Sequence, residues 1–203
     1  MFLKVAVSSL LSRKGSAVMT LMAISVAIFV LLGIEQIRLQ ARESFASTVS
    51  GVDLIVGAKT GSLNLLLYSV FRIGSPTDNI SWQAYREIAD ADDVAWTIPI
   101  SLGDSHEGYR VVGTTQGFFE YFSFGKKRRL AFDKGEAFEG TFDAVLGTEV
   151  ASALGYSMGT EIILAHGLAS ASFTKHDNQP FVVVGVLAPT GTPVDNTIHV
   201  RLE

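Results

Sequence analysis

The sequence predicts a mixed α/β (α+β) domain carried behind one membrane-crossing helix, and three observations carry that prediction. The first is an uncharged run of 19 residues from Ser16 to Ile34. At about 1.5 Å of helical rise per residue it extends about 28 Å, close to the hydrocarbon thickness of a bilayer. The second is that the roughly 160 residues behind it mix short β-rich runs with short amphipathic helical runs, enough chain for one sizeable domain. The third is charge. Of 16 basic and 20 acidic residues, 5 and 2 fall within residues 1–43, leaving 11 against 18 and a net charge of −7 beyond them.

Residues 1–15 form the cytoplasmic N-terminus. Phe2, Leu3, Val7, Leu10 and Leu11 recur near helical spacing, which fits either an amphipathic helix on the inner membrane face or an ordinary charged flank. Residues 16–47 form the transmembrane helix and a stalk. A secretory signal has an apolar stretch of about 7–15 residues and a small-x-small cleavage site. Here the apolar run passes straight into "EQIRLQARESF", so an uncleaved anchor is expected. Ile34, Ile37, Ala41 and Phe45 lie three or four residues apart and predict that the helix continues beyond the membrane. Lys4, Arg13 and Lys14 precede the run, whereas Arg38 and Arg42 behind it are accompanied by Glu35 and Glu43. That bias puts the N-terminus in the cytoplasm and residues 48–203 outside it.

In the outer domain, "GVDLIVG" reads as a first strand and "SLNLLLYSVFRIG" as an apolar helix or turn. Ser81 is a candidate N-cap for an amphipathic helix through Ile88, followed by a strand from Val94 to Ile100. "GYRVVGTT" is a strand, with "GDSHEG" before it as a loop. The aromatic stretch "GFFEYFSFG" and a polar region around "KKRRLAFDKGEAF" follow. "DAVLG", "TEVASALGY" and "GTEIILAHG" give strand, helix, strand. A last strand, "PFVVVGVLAP", leads into "TGTPVDNTIHVRLE", where Gly191 marks a tight turn.

Chemistry is sparse. There is no cysteine, hence no disulfide framework and no thiolate zinc site. The segment "GAKTG" lacks the spacing of a phosphate loop. Ser105 and His106 are adjacent, and adjacent side chains diverge, so they make a poor nucleophile and base. His166 and His176 are the weak metal candidates, on opposite sides of a predicted hairpin. Lys126, Lys127, Arg128 and Arg129 read as an exposed turn, with a partner contact as the alternative. Phe118, Phe119, Tyr121, Phe122 and Phe124 read as core, with an apolar groove for a lipid-like cargo as the alternative. An acidic domain is a poor nucleic-acid binder.

The phrases "SRKGSA", "ARESFASTVSGVDLIVGAKTG", "LLLYSVFRIG", "ISWQAYREIA", "WTIPISLGDSHEGYRVVGTT", "FDAVLGTEVASALGY" and "PFVVVGVLAPTGTPVDNTIHV", with the layout of one anchor and one outer domain, resemble membrane subunits of ABC transporters of the MacB, FtsX and LolC/LolE type. The resemblance covers nearly the whole chain and contains no catalytic motif. It implies a permease in the bacterial inner membrane, not itself an enzyme, with a MacB-like periplasmic domain at residues 48–203. It implies a porter-like part from segments 48–114 and 143–200, and a smaller β-rich part from 115–142. The partners it implies are an ABC ATPase subunit that holds the ATP and Mg, a second permease copy, membrane lipid and a periplasmic partner protein. No cofactor is implied for this chain. Coupling would fall on Arg13 and Lys14 at the mouth of the helix and on Ile37, Ala41 and Phe45 along the stalk. Three further transmembrane helices are expected in such subunits beyond the position of Glu203, so this sequence alone would not make a working transporter. A membrane-tethered ligand- or metal-binding module is the alternative.

Overall fold

The computed structural model describes residues 12–48, 50–74, 78–166 and 180–202. It divides into two compact units, Met1–Phe45 and Ala46–Glu203. The first is carried by helix α1 (Lys14–Thr48), which is 35 residues long and ends inside the second. Its stretch Lys14–Leu39 has a mean hydropathy of 2.6, and none of it is buried. Phe29, Leu31 and Ile37 are each about two-thirds exposed or more, so the helix is apolar all round, and it is long and apolar enough to cross a membrane. Polar pairing resumes at its far end, where Arg38 donates to Glu35 at 3.4 Å.

The second unit is built on one eight-stranded mixed sheet. Its strands are β1 (Ser101–His106), β2 (Tyr109–Thr114), β5 (Phe132–Gly135), β6 (Asp143–Leu146), β7 (Glu161–Ile162), β8 (Ala165–His166), β9 (Phe181–Leu187) and β10 (Thr197–Arg201). The order is β5-β9-β6-β10-β2-β1-β8, with β7 also on β9. The pairs β10–β2 and β6–β9 are parallel, and the others are antiparallel. A separate hairpin joins β3 (Ser123–Phe124) to β4 (Arg128–Arg129). The helices of this unit are α2 (Ser62–Ser69), α3 (Trp82–Ala89), α4 (Gly117–Tyr121) and α5 (Thr148–Leu154).

Alternation on the central strands creates two cores. On β6, Ala144 and Leu146 face one side and Val145 the other; on β10, Ile198 and Val200 oppose His199. The first side packs with Val150 and Ala151 of α5 and with Ile162, Leu164 and Val183. The second packs with Phe118, Phe119, Phe122, Phe124, Phe138 and Leu187. A sheet covered on both faces demands continuous apolar runs at its centre, which is why "DAVL" and "FVVVGVL" read so clearly as strands.

The sheet cannot be flat. β7 lies outside β9 and β8 lies outside β1, so in a flat sheet six spacings of about 4.8 Å would separate them by about 29 Å. Only Ile163 and Leu164 connect them, and such a link reaches about 10 Å. The sheet therefore curls until its two edges come within one short bridge, with Ile162 and Leu164 buried in the first core.

Several elements differ from expectation. Among the described residues Val52–Val56 joins no ladder, and beside it Ser50 bridges to Ser123. Val94–Ile100 is a connector. Pro99 offers no N–H to a ladder, and the segment is held by side chains instead: Trp96 stacks on Tyr121 at 5.5 Å, Thr97 donates to the Tyr85 hydroxyl at 3.2 Å, and Thr114 donates to the Pro99 carbonyl at 2.8 Å. The strand begins at Ser101 and takes in the "GDSH" read as a loop, the turn being only Glu107 and Gly108, both with positive φ, as a two-residue type I′ hairpin requires. "GTEIILAHG" is split into β7 and β8, and β5 and β10 are additional strands. The segment 115–142 divides between the β3–β4 hairpin, α4 under the second core, and β5 on the main sheet. Ser81 does cap α3, accepting from the Ala84 N–H at 3.2 Å.

Between β9 and β10 the chain makes a polar loop closed by a 3-10 turn, Pro193–Asn196. Asp195, 6% exposed, accepts from the Thr190 N–H at 2.9 Å, the Thr190 hydroxyl at 2.8 Å and the Gly191 N–H at 2.7 Å. Gly191 has φ +71°, and Gly147 backs onto the carbonyl oxygens of Val194 and Asp195 so closely that a Cβ has no room. Gly147→Ala is expected to cost about 1–3 kcal/mol and Gly191→Val about 1–2 kcal/mol. Gly61→Ala, where the space is open and φ is negative, should stay within about 0.5 kcal/mol. Denaturant titration of the purified chain measures all three, and an unchanged midpoint for Gly147→Ala would refute the close packing.

Candidate functional site

The five residues expected to couple motion all lie in or beside α1. Arg13 accepts the Ala17 N–H on its carbonyl at 3.0 Å, and both Arg13 and Lys14 are exposed at the helix start. Ile37 is 67% exposed. Ala41 and Phe45 are helical, and their side chains lie outside the described residues. The helix has no proline along its length, and its 35 residues extend about 52 Å.

The histidine candidates do not assemble a metal centre in what is described. His166 ends β8, its backbone opposite Asp104 of β1, and His176 lies outside the described residues. Among the described residues no group of three or more His, Asp or Glu side chains is placed to hold a metal ion.

The geometry also separates Ser105 from His106. Ser105 is 4% exposed, and neighbours on β1 point to opposite faces. The His106 ring is fully used: Nδ1 lies 2.7 Å from the Ile163 carbonyl, and Nε2 lies 2.9 Å from the Tyr156 hydroxyl. A carbonyl only accepts, so Nδ1 carries the proton and Nε2 accepts from Tyr156. Burial, and then the nearby Glu107, raise the Tyr156 pKa, which keeps the phenol protonated as that donor. The imidazole is a clamp on the bridge between β7 and β8, not a base for Ser105.

The aromatic stretch is core. Phe118, Phe119, Phe122 and Phe124 are all buried, and Phe118 stacks on Phe122 at 4.9 Å. The basic run is half turn and half strand, with Lys126 and Lys127 exposed in the turn and Arg128, the first residue of β4, lying 4.6 Å over the Phe124 ring.

Sequence reasoning missed a buried polar group in the second core. His199 has no exposure, stacks on Phe118 at 4.8 Å, and among the described residues neither ring nitrogen has a hydrogen-bond partner. The alternation Thr-Ile-His-Val-Arg, with its inward and outward positions, is the signal that could have placed it. Burial chiefly, and then the Arg72 guanidinium, lower its pKa to about 3, against a weak opposing effect of the Val145 backbone. Arg72 is itself buried, with φ +59° and its guanidinium donating to the Ser69 carbonyl. Burial lowers its pKa to about 10.

Below about pH 6.5 the unfolded chain protonates this imidazole while the native one stays neutral, so the unfolded state binds the extra proton and stability falls as pH drops towards about 3. The slope contributed by one group is at most about 1.4 kcal/mol per pH unit. His199→Leu should remove it. Thermal melts of both proteins between pH 7.5 and 4.5 make the comparison, and parallel curves would show that His199 titrates normally.

No curated protein matches the chain. Among solved structures, a crystallised domain described as part of a permease protein from Porphyromonas gingivalis aligns with a TM-score of 0.39 and 13% identity, over 59% of this chain and 55% of that one. The chain thus spans about half the length of that neighbour, and a likeness this distant bears no argument. The family match is extensive: the MacB-like periplasmic core domain aligns with residues 17–202, from the first turn of α1 to just beyond β10. The chain belongs to the MacB-like periplasmic core domain family.

Proposed function

We propose that this chain is the permease component of an ABC transporter in the bacterial inner membrane, with its N-terminus in the cytoplasm and its main domain in the periplasm. Two copies act with a cytoplasmic ATPase, which holds the ATP and Mg. The permease itself carries out no bond chemistry. ATP binding and hydrolysis displace α1, and α1 passes that displacement to the outer domain, where the work on cargo is done. Envelope-directed export, including lipoprotein transport with a periplasmic partner protein, is the class of task this reading favours.

The observation that carries it, beside the family match, is the continuity of α1 from an apolar span at Lys14–Leu39 to Thr48 in the second unit. A flexible tether would serve a binding module equally well. An uninterrupted helix costs little to keep straight and bends only where a proline, a π-bulge or an inserted side chain breaks its ladder. That property matters only if force or displacement travels along it.

Ala41→Pro tests this directly, since a proline inside the helix costs about 3 kcal/mol and kinks it. In the assembled transporter, a spin label on the exposed Asp92→Cys position of each copy reports the separation of the outer domains. The expected result is that ATP changes that separation in the parent and no longer does so with Ala41→Pro, while ATP hydrolysis persists. An undiminished ATP-dependent change would sink the coupling role of the helix.

A further inference from the structure

The stretch Val70–Gly74 crosses the second face of the main sheet beside His199. Val111 of β2 packs into the first core, so Arg110 and Val112, on either side of it, point to the second. Along the β2–β10 pair Arg110 stands opposite Thr197 and Val112 opposite His199. Arg110 and His199 therefore share a face, their backbones about 8 Å apart. Arg110, 9% exposed, donates to the Gly74 carbonyl. Arg72, two residues before Gly74, is buried and close enough for its charge to act on the imidazole.

This stretch is lightly held. From Gly51 to Gly74 only Val70 and Arg72 are buried, α2 has no buried residue, and among the described residues the segment joins no ladder. Arg72 has φ +59°, a left-handed conformation that strains a residue with a Cβ. A segment with so little burial opens at lower cost than the sheet beneath it.

The charges around the imidazole do not hold a proton on it. Phe118 and Phe119 of α4 flank the ring, and Val145 of β6 stands opposite it. Arg72 and Arg110 add positive charge to this face, as does the exposed Arg201 two residues along β10. On β6 the Asp143 carboxylate already accepts the Glu139 and Gly140 N–H groups, and Glu120 of α4 is exposed. Among the described residues neither ring nitrogen has a hydrogen-bond partner.

We propose that Val70–Gly74 is an acid-released strap, closed over the unpaired His199 ring at neutral pH and opened by proton uptake at that ring while the sheet stays folded. The closed form keeps the ring neutral down to about pH 3, whereas an open form protonates it below about pH 6.5. The open form binds the extra proton, so its population rises as pH falls, by about tenfold between pH 7.5 and 5.5.

Amide hydrogen exchange of the full chain in detergent, corrected for the intrinsic rate at each pH, tests this. Peptides spanning residues 62–74 are expected to be at least tenfold less protected than β6 and β9, and to lose about tenfold in protection between pH 7.5 and 5.5. His199→Phe, flat and without a titrating group, should abolish that loss. Arg110→Leu leaves the imidazole in place and should lower the strap's protection several-fold at both pH values while keeping the tenfold ratio. Strap protection equal to that of β6 and β9 would mean that it opens only with the whole domain and would overturn the proposal. So would strap protection that does not change with pH, a loss that persists in His199→Phe, or protection unaltered by Arg110→Leu.

Discussion

The curl of the main sheet rests on the bridge between β7 and β8. Two residues, Ile163 and Leu164, join strands that a flat sheet would hold about 29 Å apart, and everything inside the curl depends on that closure. Ile162 and Leu164 reach the first core only because the edges meet there. The two strands it joins also pair along the outer sides of β9 and β1, beside β5 on β9, so those sides do not present open pairing groups there. His106 secures it from one side by accepting from Tyr156 and donating to the Ile163 carbonyl. A side chain that looks like half of a hydrolytic pair in the sequence is thus committed to architecture.

Asp195 and His199, both buried near the C-terminal strand, illustrate opposite solutions to the same cost. Asp195 accepts from donors five or fewer residues before it, at Thr190 and Gly191, with Thr192 bonded to Thr190 beside it. The carboxylate is an organising centre, and the loop's conformation follows from satisfying it. His199 has no such shell. It is tolerated because a neutral imidazole is flat and can stack like an aromatic ring, as it does on Phe118, but its two nitrogens forgo hydrogen bonds they would have in water. Such a group stabilises nothing by itself and makes the core sensitive to acid.

What could be read from the sequence follows the strength of local signals. The apolar part of α1 was legible because composition alone defines it: no charge in 19 residues. α3 was legible from Ser81 and the spacing behind it, and β2, β6 and β9 from apolar runs that only a doubly covered sheet accepts. The failures all concern long-range pairing. Val52–Val56 and Val94–Ile100 have strand composition, but whether a β-rich segment becomes a strand depends on a partner that may lie a hundred residues away. β10 pairs with β2 and β6, so its place is fixed by strands some 50 to 85 residues earlier and not by anything in "NTIHV" itself. The split of "GTEIILAHG" follows from the curl, which no periodicity encodes. Among the candidate site residues, the α1 set was placed on its helix, whereas the buried His199 was hidden by the same dependence on pairing.

These features bear on how readily the outer domain deforms. A flat open sheet twists easily, because its edges are free. A curled sheet pinned at Ile162–Ala165 and filled on both faces by separate cores resists twisting. The segment from Gly51 to Gly74, which follows α1 directly, is tied to it at particular points: Ser50 pairs with Ser123, and the Gly74 carbonyl accepts from Arg110 of β2. The stretch that follows α1 is thereby held to the rest of the outer domain near both of its ends, once through backbone pairing and once through a buried guanidinium.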